Sequence, residues 1–197
     1  RWGDPVDPEK LEAAIKEHPD AKVVALVHAE TSTGVRSDAE TLCRLAQDAG
    51  MLVIVDAVTS LVGIELKADE WGADVVYSGT QKCLSGLPGI SPITFSDAAV
   101  SAISARTQKV QSWFLDMNLI MGYWGEGAKR SYHHTAPVNA VYAIHEALLM
   151  LEEEGLEASI ARHKANHLKL AAGLSKLGLE LAVDEAWRLP QLNAVRI

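Results

Sequence analysis

The sequence predicts an α/β fold with a mostly parallel sheet flanked by helices, and two observations carry that expectation. Apolar runs of strand length recur at 22–28, 51–55, 73–77 and 90–95, with stretches of helical spacing among them. The runs at 22–28 and 51–55 are nearly unbroken, as in strands covered on both faces. Alternation of this kind joins parallel strands through right-handed crossovers, so the strand ends share one rim.

Taken in order, Asp7 caps a helix over 9–17, with Pro8 in its first turn and Leu11, Ala14 and Ile15 on one face. The run at 22–28 is the first strand. Ser37, Asp38, Ala39 and Glu40 form a capping box for a helix running to Ala49, where Gly50 stops it. Strand 51–55 follows at once and ends on Asp56. A loop through Trp71 and Gly72 leads into strand 73–77, which breaks into the polar turn Ser78, Gly79, Thr80, Gln81 and Lys82. Pro92 places the run at 90–95 at an edge or an irregular position.

Beyond residue 96 the character changes. A short helix is expected over 97–106, and 107–134 is an aromatic, glycine-containing segment without long periodicity. Helices at 136–153 and 155–176 meet at Gly155. In the first, Val138, Val141, Ile144, Ala147, Leu148 and Leu151 predict an amphipathic helix packed on the core. Strands near 179–183 and 191–197 open a smaller unit. The expected division is therefore a large domain over 1–135, then linking helices and the beginning of a small α+β C-terminal domain over 136–197.

Composition narrows the function classes. The 197 residues carry 48% hydrophobic side chains and 22% charged ones, the balance of a globular chain with one ordinary core. A net charge of −8 argues against nucleic acid or an anionic membrane as the main partner. No apolar run reaches membrane-spanning length, and a signal peptide is not expected. Cys43 and Cys83 do not make a disulfide framework; reduced thiols in a reducing compartment, the cytoplasm, are the expectation. The opening Arg1, Trp2 and Gly3 read as mid-chain, so a piece of a longer protein, or a processed product, is expected.

Two strand ends speak to chemistry. Asp56 closes one buried-type strand and Lys82 closes the turn after another. An amine able to form a Schiff base with an aldehyde, and a carboxylate able to keep a pyridine nitrogen protonated, are what pyridoxal phosphate requires. Lysine is ordinarily a surface residue, and Asp56 can equally cap the next turn. A carboxylate ending an apolar run nevertheless needs a partner against its desolvation, and the flanking Ser78 to Gln81 read as ligand-facing. Glu30, Thr31, Ser32 and Thr33 follow the first strand, so they reach the same rim, where open α/β sheets bind ligands. A plain hydroxyl-capped turn accounts for Thr31 to Gly34 as well. Val58 suits either a ring face or the core. Tyr132, His133, His134 and Thr135 precede a helix N-terminus, which suits a phosphate better than a metal, because adjacent histidines diverge.

Four ordered runs, 28–35, 55–60, 77–82 and 132–137, resemble the class V aminotransferases, above all the alanine–glyoxylate and serine–glyoxylate (serine–pyruvate) group. The resemblance covers essentially the whole chain. It implies a fold-type I pyridoxal 5′-phosphate transferase acting as a homodimer, with the site shared between subunits. By this likeness Lys82 bonds the cofactor aldehyde, Asp56 meets the pyridine nitrogen and Val58 lies on the ring face. Thr31 is implied near the ring oxygen and Gln81 at the phosphate, with Tyr132 and Thr135 reaching the phosphate of the neighbouring subunit. The implied reaction is transamination of a small amino acid, alanine or serine, with glyoxylate or pyruvate as acceptor. Tyr132 fits that group better than ureidoglycine-specific relatives.

The departures define the rivals. Relatives carry an upstream phosphate loop with a ring-stacking aromatic, and a later arginine that grips the substrate carboxylate. Neither falls within these residues, and Arg196 is not assigned that part. A truncated, catalytically incomplete cofactor-binding fragment is therefore one alternative. Another fold-type I enzyme such as a cysteine desulfurase is a second, although Cys83 sits beside the lysine rather than on a later mobile loop.

Overall fold

The structure, a computed structural model, describes residues 1–124 and 131–197. Residues 125–130 of the aromatic, glycine-containing segment lie outside the described residues. The first helix, α1 (Pro8–Glu17), begins as expected: the Asp7 side chain accepts the Glu9 N–H at 3.0 Å, with proline in the first turn. Strand β1 (Val23–Val27) follows, then a small antiparallel ribbon of β2 (Ala29–Glu30) and β3 (Val35–Arg36). Helix α2 (Ala39–Asp48) is capped by Asp38, which accepts the Thr41 N–H at 3.1 Å, not by the capping box opened at Ser37. Ser37 is otherwise engaged: its Oγ accepts the Val6 N–H at 3.3 Å.

Strand β4 (Leu52–Asp56) lies parallel to β1, with Val27 opposite Asp56. The stretch expected as a loop before the next strand contains a one-turn helix, α3 (Ala68–Trp71), closed by Gly72 at φ +73°. The positive φ favours glycine at this position, and the Gln47 amide donates to the Gly72 carbonyl at 2.7 Å. Strand β5 (Val75–Tyr77) is parallel to β4, and β6 (Ile93–Phe95) pairs with β5 antiparallel. The sheet order is β1-β4-β5-β6, mostly parallel with one reversed edge strand.

One face of this sheet packs against α2. Val53, Val55, Leu42, Cys43 and Ala46 are fully buried, with Leu26, Trp71 and Val76 around them. The alternation along β4 turns Leu52, Ile54 and Asp56 to the other face, where they are half-buried. There Val23, Leu52, Ile54 and Val75 line an open cavity of about 560 Å³, together with residues of α4 (Asp97–Ser104) and α5 (Met117–Trp124). The first strand departs from its expected burial on both faces. Among the described residues β1 pairs only with β4, and as an edge strand it leaves Val23 and Val27 exposed.

Two long helices follow, α6 (Val138–Glu154) and α7 (Leu156–Lys176), broken at Gly155. Only part of the stripe expected to pack on the core is covered among the described residues, with Ile144 and Leu151 half-buried. Ala147 is buried, whereas Val138, Val141 and Leu148 are exposed, as are Tyr142 and Met150. Helical spacing marks an apolar face but not what covers it. The chain closes with β7 (Glu180–Leu181) and β8 (Val195–Arg196), an antiparallel pair. Between them, fully buried Leu189 donates its N–H to the Gly34 carbonyl at 2.9 Å, tying this end to the loop after β2.

Candidate active site

The ends of β1, β4 and β5 meet on one rim. The Cα partner of Asp56 is Val27 on one side and Tyr77 on the other. Backbone bonds continue past the strands: His28 N–H donates to the Asp56 carbonyl at 3.1 Å, and Ala57 N–H to the Tyr77 carbonyl at 2.9 Å. Parallel register thus brings the polar segments after all three strands to a common edge, as expected from the sequence.

Asp56 itself is half-buried and already satisfied. Its Oδ1 accepts the Val58 N–H at 2.9 Å and its Oδ2 accepts the Tyr77 hydroxyl at 2.7 Å. The carboxylate does not wait on a ligand to offset its desolvation, which corrects the expectation from the apolar run. Acceptance by Asp56, with burial second, pushes the Tyr77 phenol up to about 12. Val58 is half-buried beside Asp56.

Thr31 reaches the residues beyond β4: its hydroxyl shares a 2.7 Å hydrogen bond with that of Thr59. Next to it, Glu30 folds back to accept the Ser32 N–H and hydroxyl, which holds its carboxyl below the usual range. Gly34 completes the turn at φ +82°, where an added Cβ would lie 2.9 Å from the Leu192 carbonyl oxygen.

The turn carrying Lys82 differs from its expected character. Ser78 and Thr80 do not face a ligand; both are buried. The Ser78 hydroxyl donates to the Ala57 carbonyl at 3.0 Å, and the Thr80 hydroxyl binds the carbonyls of Leu87 and Ile90. Buried hydroxyls need partners, and the curled 80–90 loop supplies them. Gln81 and Lys82 are exposed, and the Gln81 amide lies close over Gly79. The Lys82 amine has no hydrogen bond or ion pair among the described residues. Cys83 is half-buried, its thiol directed at the Thr59 carbonyl at 3.8 Å and pushed up by burial.

Tyr132 and Thr135 pair with each other, hydroxyl to hydroxyl, at 2.6 Å. Both are exposed, Tyr132 at 73%, and no contact joins them to the Asp56 rim in the described chain. His133 stacks on Trp113 with ring centroids 4.0 Å apart and meets His134 through their Nδ1 atoms at 2.8 Å. The two rings bind each other, and no group of three metal-ligating side chains occurs among the described residues.

The sequence reading missed Tyr77 and Thr59, whose hydroxyls touch Asp56 and Thr31. A signal for Tyr77 was present, since it ends the strand next to the one ending in Asp56. Thr59 carried none. It matters again from afar, because the Gln191 amide donates to its carbonyl at 2.8 Å.

Comparison with known proteins shows what the chain is similar to. The pattern described as aminotransferase class-V matches residues 3–196. An alanine–glyoxylate aminotransferase of Oryctolagus cuniculus is 41% identical over 189 residues, covering 95% of this chain and 48% of that protein. The (S)-ureidoglycine–glyoxylate transaminase of Bacillus subtilis is 35% identical over 214 residues, covering 100% of this chain and 51% of that protein. Among solved structures, an alanine–glyoxylate aminotransferase from Nostoc sp. superposes with a TM-score of 0.95 at 44% identity, over 100% of this chain and 51% of its own. The chain spans about half the length of the curated relatives it matches.

Proposed function

This chain belongs to aminotransferase class V, and we propose on that premise that it forms the cofactor-gripping part of a glyoxylate-type transaminase. The amino donor in this reading is a small amino acid, alanine or serine, and the acceptor is glyoxylate or pyruvate. The cofactor is pyridoxal 5′-phosphate, as the family implies. The observation that carries the reading is the register of β4 and β5. It sets Asp56 opposite Tyr77, with Lys82 only a short turn beyond, on the rim that Thr31 also reaches.

The residues present fit the group. The Lys82 amine is exposed and, among the described residues, without a hydrogen-bond or ion-pair partner, as an amine that must bond an aldehyde requires. Asp56 has one protein donor on each oxygen and keeps a free lone pair on both. Gln81, folded over Gly79, supplies an exposed amide for phosphate oxygens. Val58 offers an apolar surface beside Asp56, and Thr31 a hydroxyl for the ring oxygen. Tyr132 and Thr135 offer two hydroxyls to a phosphate on a neighbouring subunit.

When bound, the cofactor supplies an aldehyde for amines and a ring that takes up electrons. Asp56 would hold the proton on the ring nitrogen. Lys82 Nζ would hold the cofactor at its aldehyde carbon, and as a free amine it would take the proton from the substrate α-carbon. Tethered at the end of its turn, that base would stay beside the carbon it serves, so proximity would replace a search through solvent.

A homodimer is part of the same proposal. Trp113, Phe114, Leu115, Val138, Val141 and Tyr142 are large apolar side chains left exposed, which favours a covered face. The division at residue 135 and a cytoplasmic location, favoured by the free thiols of Cys43 and Cys83, belong to it too. The desulfurase alternative is disfavoured by Cys83, which sits half-buried beside Lys82 rather than on a later loop.

Adding pyridoxal 5′-phosphate is expected to give a visible absorbance band that Lys82→Ala abolishes. Keto acid should then form from alanine or serine with glyoxylate, and no sulfide from cysteine. A band of equal intensity in Lys82→Ala would defeat the assignment.

A further inference from the structure

Tyr77 stands outside the roles given above, yet its hydroxyl touches the central carboxylate. It ends β5 as Asp56 ends β4, and the two are direct register partners. In that geometry the phenol crosses from one strand to the next and donates to Asp56 Oδ2 at 2.7 Å. The other oxygen, Oδ1, is held from within its own loop by the Val58 N–H at 2.9 Å. The carboxylate plane is therefore fixed from two directions by two different elements.

We propose that Tyr77 is a positioning residue for Asp56, aiming its carboxylate at the ring nitrogen of the cofactor and keeping the shared proton on that nitrogen. The inference rests on the cofactor reading above. Two physical reasons support it. A hydrogen bond donated into a carboxylate stabilises the charged form, so a proton shared with a pyridine nitrogen resides on the nitrogen. A carboxylate pinned on both oxygens also loses little rotational freedom when the ring arrives, as outer partners do for metal-bound histidines. The same bond raises the Tyr77 phenol, which keeps it protonated as the donor.

Tyr77→Phe removes one oxygen and keeps the ring, so the packing at the end of β5 is retained. The test uses pyridoxal 5′-phosphate labelled with ¹⁵N in the ring, with two readings: its dissociation constant by absorbance titration, and the ring-nitrogen chemical shift. The variant is expected to keep the visible band, to bind about tenfold more weakly, and to move the ring-nitrogen resonance toward that of neutral pyridine. A role confined to packing would lower the melting temperature and leave the nitrogen shift where it was. Wild-type values for both readings in Tyr77→Phe overturn the inference while leaving the cofactor assignment intact. A wild-type chain without a band, or a band surviving Lys82→Ala, sinks the cofactor assignment and this inference with it.

Discussion

Gln191 Nε2 donates to the Thr59 carbonyl oxygen at 2.8 Å, joining residues 132 positions apart in the chain. Through this bond the segment between β7 and β8 holds the loop that also carries Asp56 and Val58. The same side chain lies close against Gly63, beside Cys83. Leu189 and Leu192 make neighbouring contacts to the Thr31–Gly34 turn.

Gln191→Ala is expected to cost about 1–2 kcal/mol, the price of a partly buried hydrogen bond and the packing around it. In a chain of this size that lowers the melting temperature by roughly 2–8 °C. Thermal unfolding followed by circular dichroism measures it. An unchanged midpoint would mean the segment is not anchored there in solution.

His28 is buried, and that burial, with Arg36 second, pushes its imidazole down to about 4. Above its ordinary value of 6.5 both folded and unfolded chains are neutral there, so His28 imposes no pH dependence. As pH falls from 6.5 toward 4 the unfolded chain takes up the proton first, and the folded state loses stability by up to about 3 kcal/mol. Urea midpoints of wild type and His28→Gln at pH 7.5 and 4.5 check this. The wild type should lose more than the variant on acidification, and parallel losses would rule His28 out.

Asp74 is buried between strands and helix. Its Oδ2 accepts the Val53 N–H at 2.8 Å and its Oδ1 the Ser96 hydroxyl at 2.6 Å. Asp74→Ala leaves the buried Val53 N–H unpaired and the half-buried Ser96 hydroxyl without its acceptor, and an expected loss of about 3 kcal/mol follows. Asp74→Asn should lose less, since its amide oxygen can still serve one donor. Denaturant midpoints of the two variants in the wrong order would contradict this account.

Gly34→Ala combines two penalties, a positive φ of 82° and a Cβ placed 2.9 Å from the Leu192 carbonyl oxygen. The expected loss is about 2–3 kcal/mol. Gly50 has a similar φ of 73° with open space around it, so Gly50→Ala should cost only the backbone term, about 1 kcal/mol. Equal losses in the two variants would show that Leu192 does not crowd the turn.

Much of this was legible in the sequence, for local reasons. The Asp7 cap, the runs forming β1, β4 and β5, and the break at Gly155 all express propensities that neighbours along the chain decide. Errors arose where two local signals competed or where the element was too short. Ser37 and Asp38 are equally good caps, and Val6, 31 residues from Ser37, settled the choice by using the Ser37 hydroxyl. The four residues of α3 span too little chain to show a period. The apolar face of α6 was readable, but its exposure was not.

By itself the sequence determined that Thr31, Asp56 and Lys82 follow strand ends, because alternation and turn residues are properties of a few adjacent positions. Only the tertiary structure decided who stands beside whom. That Asp56 faces Tyr77, that Ser78 and Thr80 turn inward, and that Gln191 returns to Thr59 follow from strand register and long-range packing. Those are fixed by the joint burial of many side chains, and no short stretch of sequence contains them.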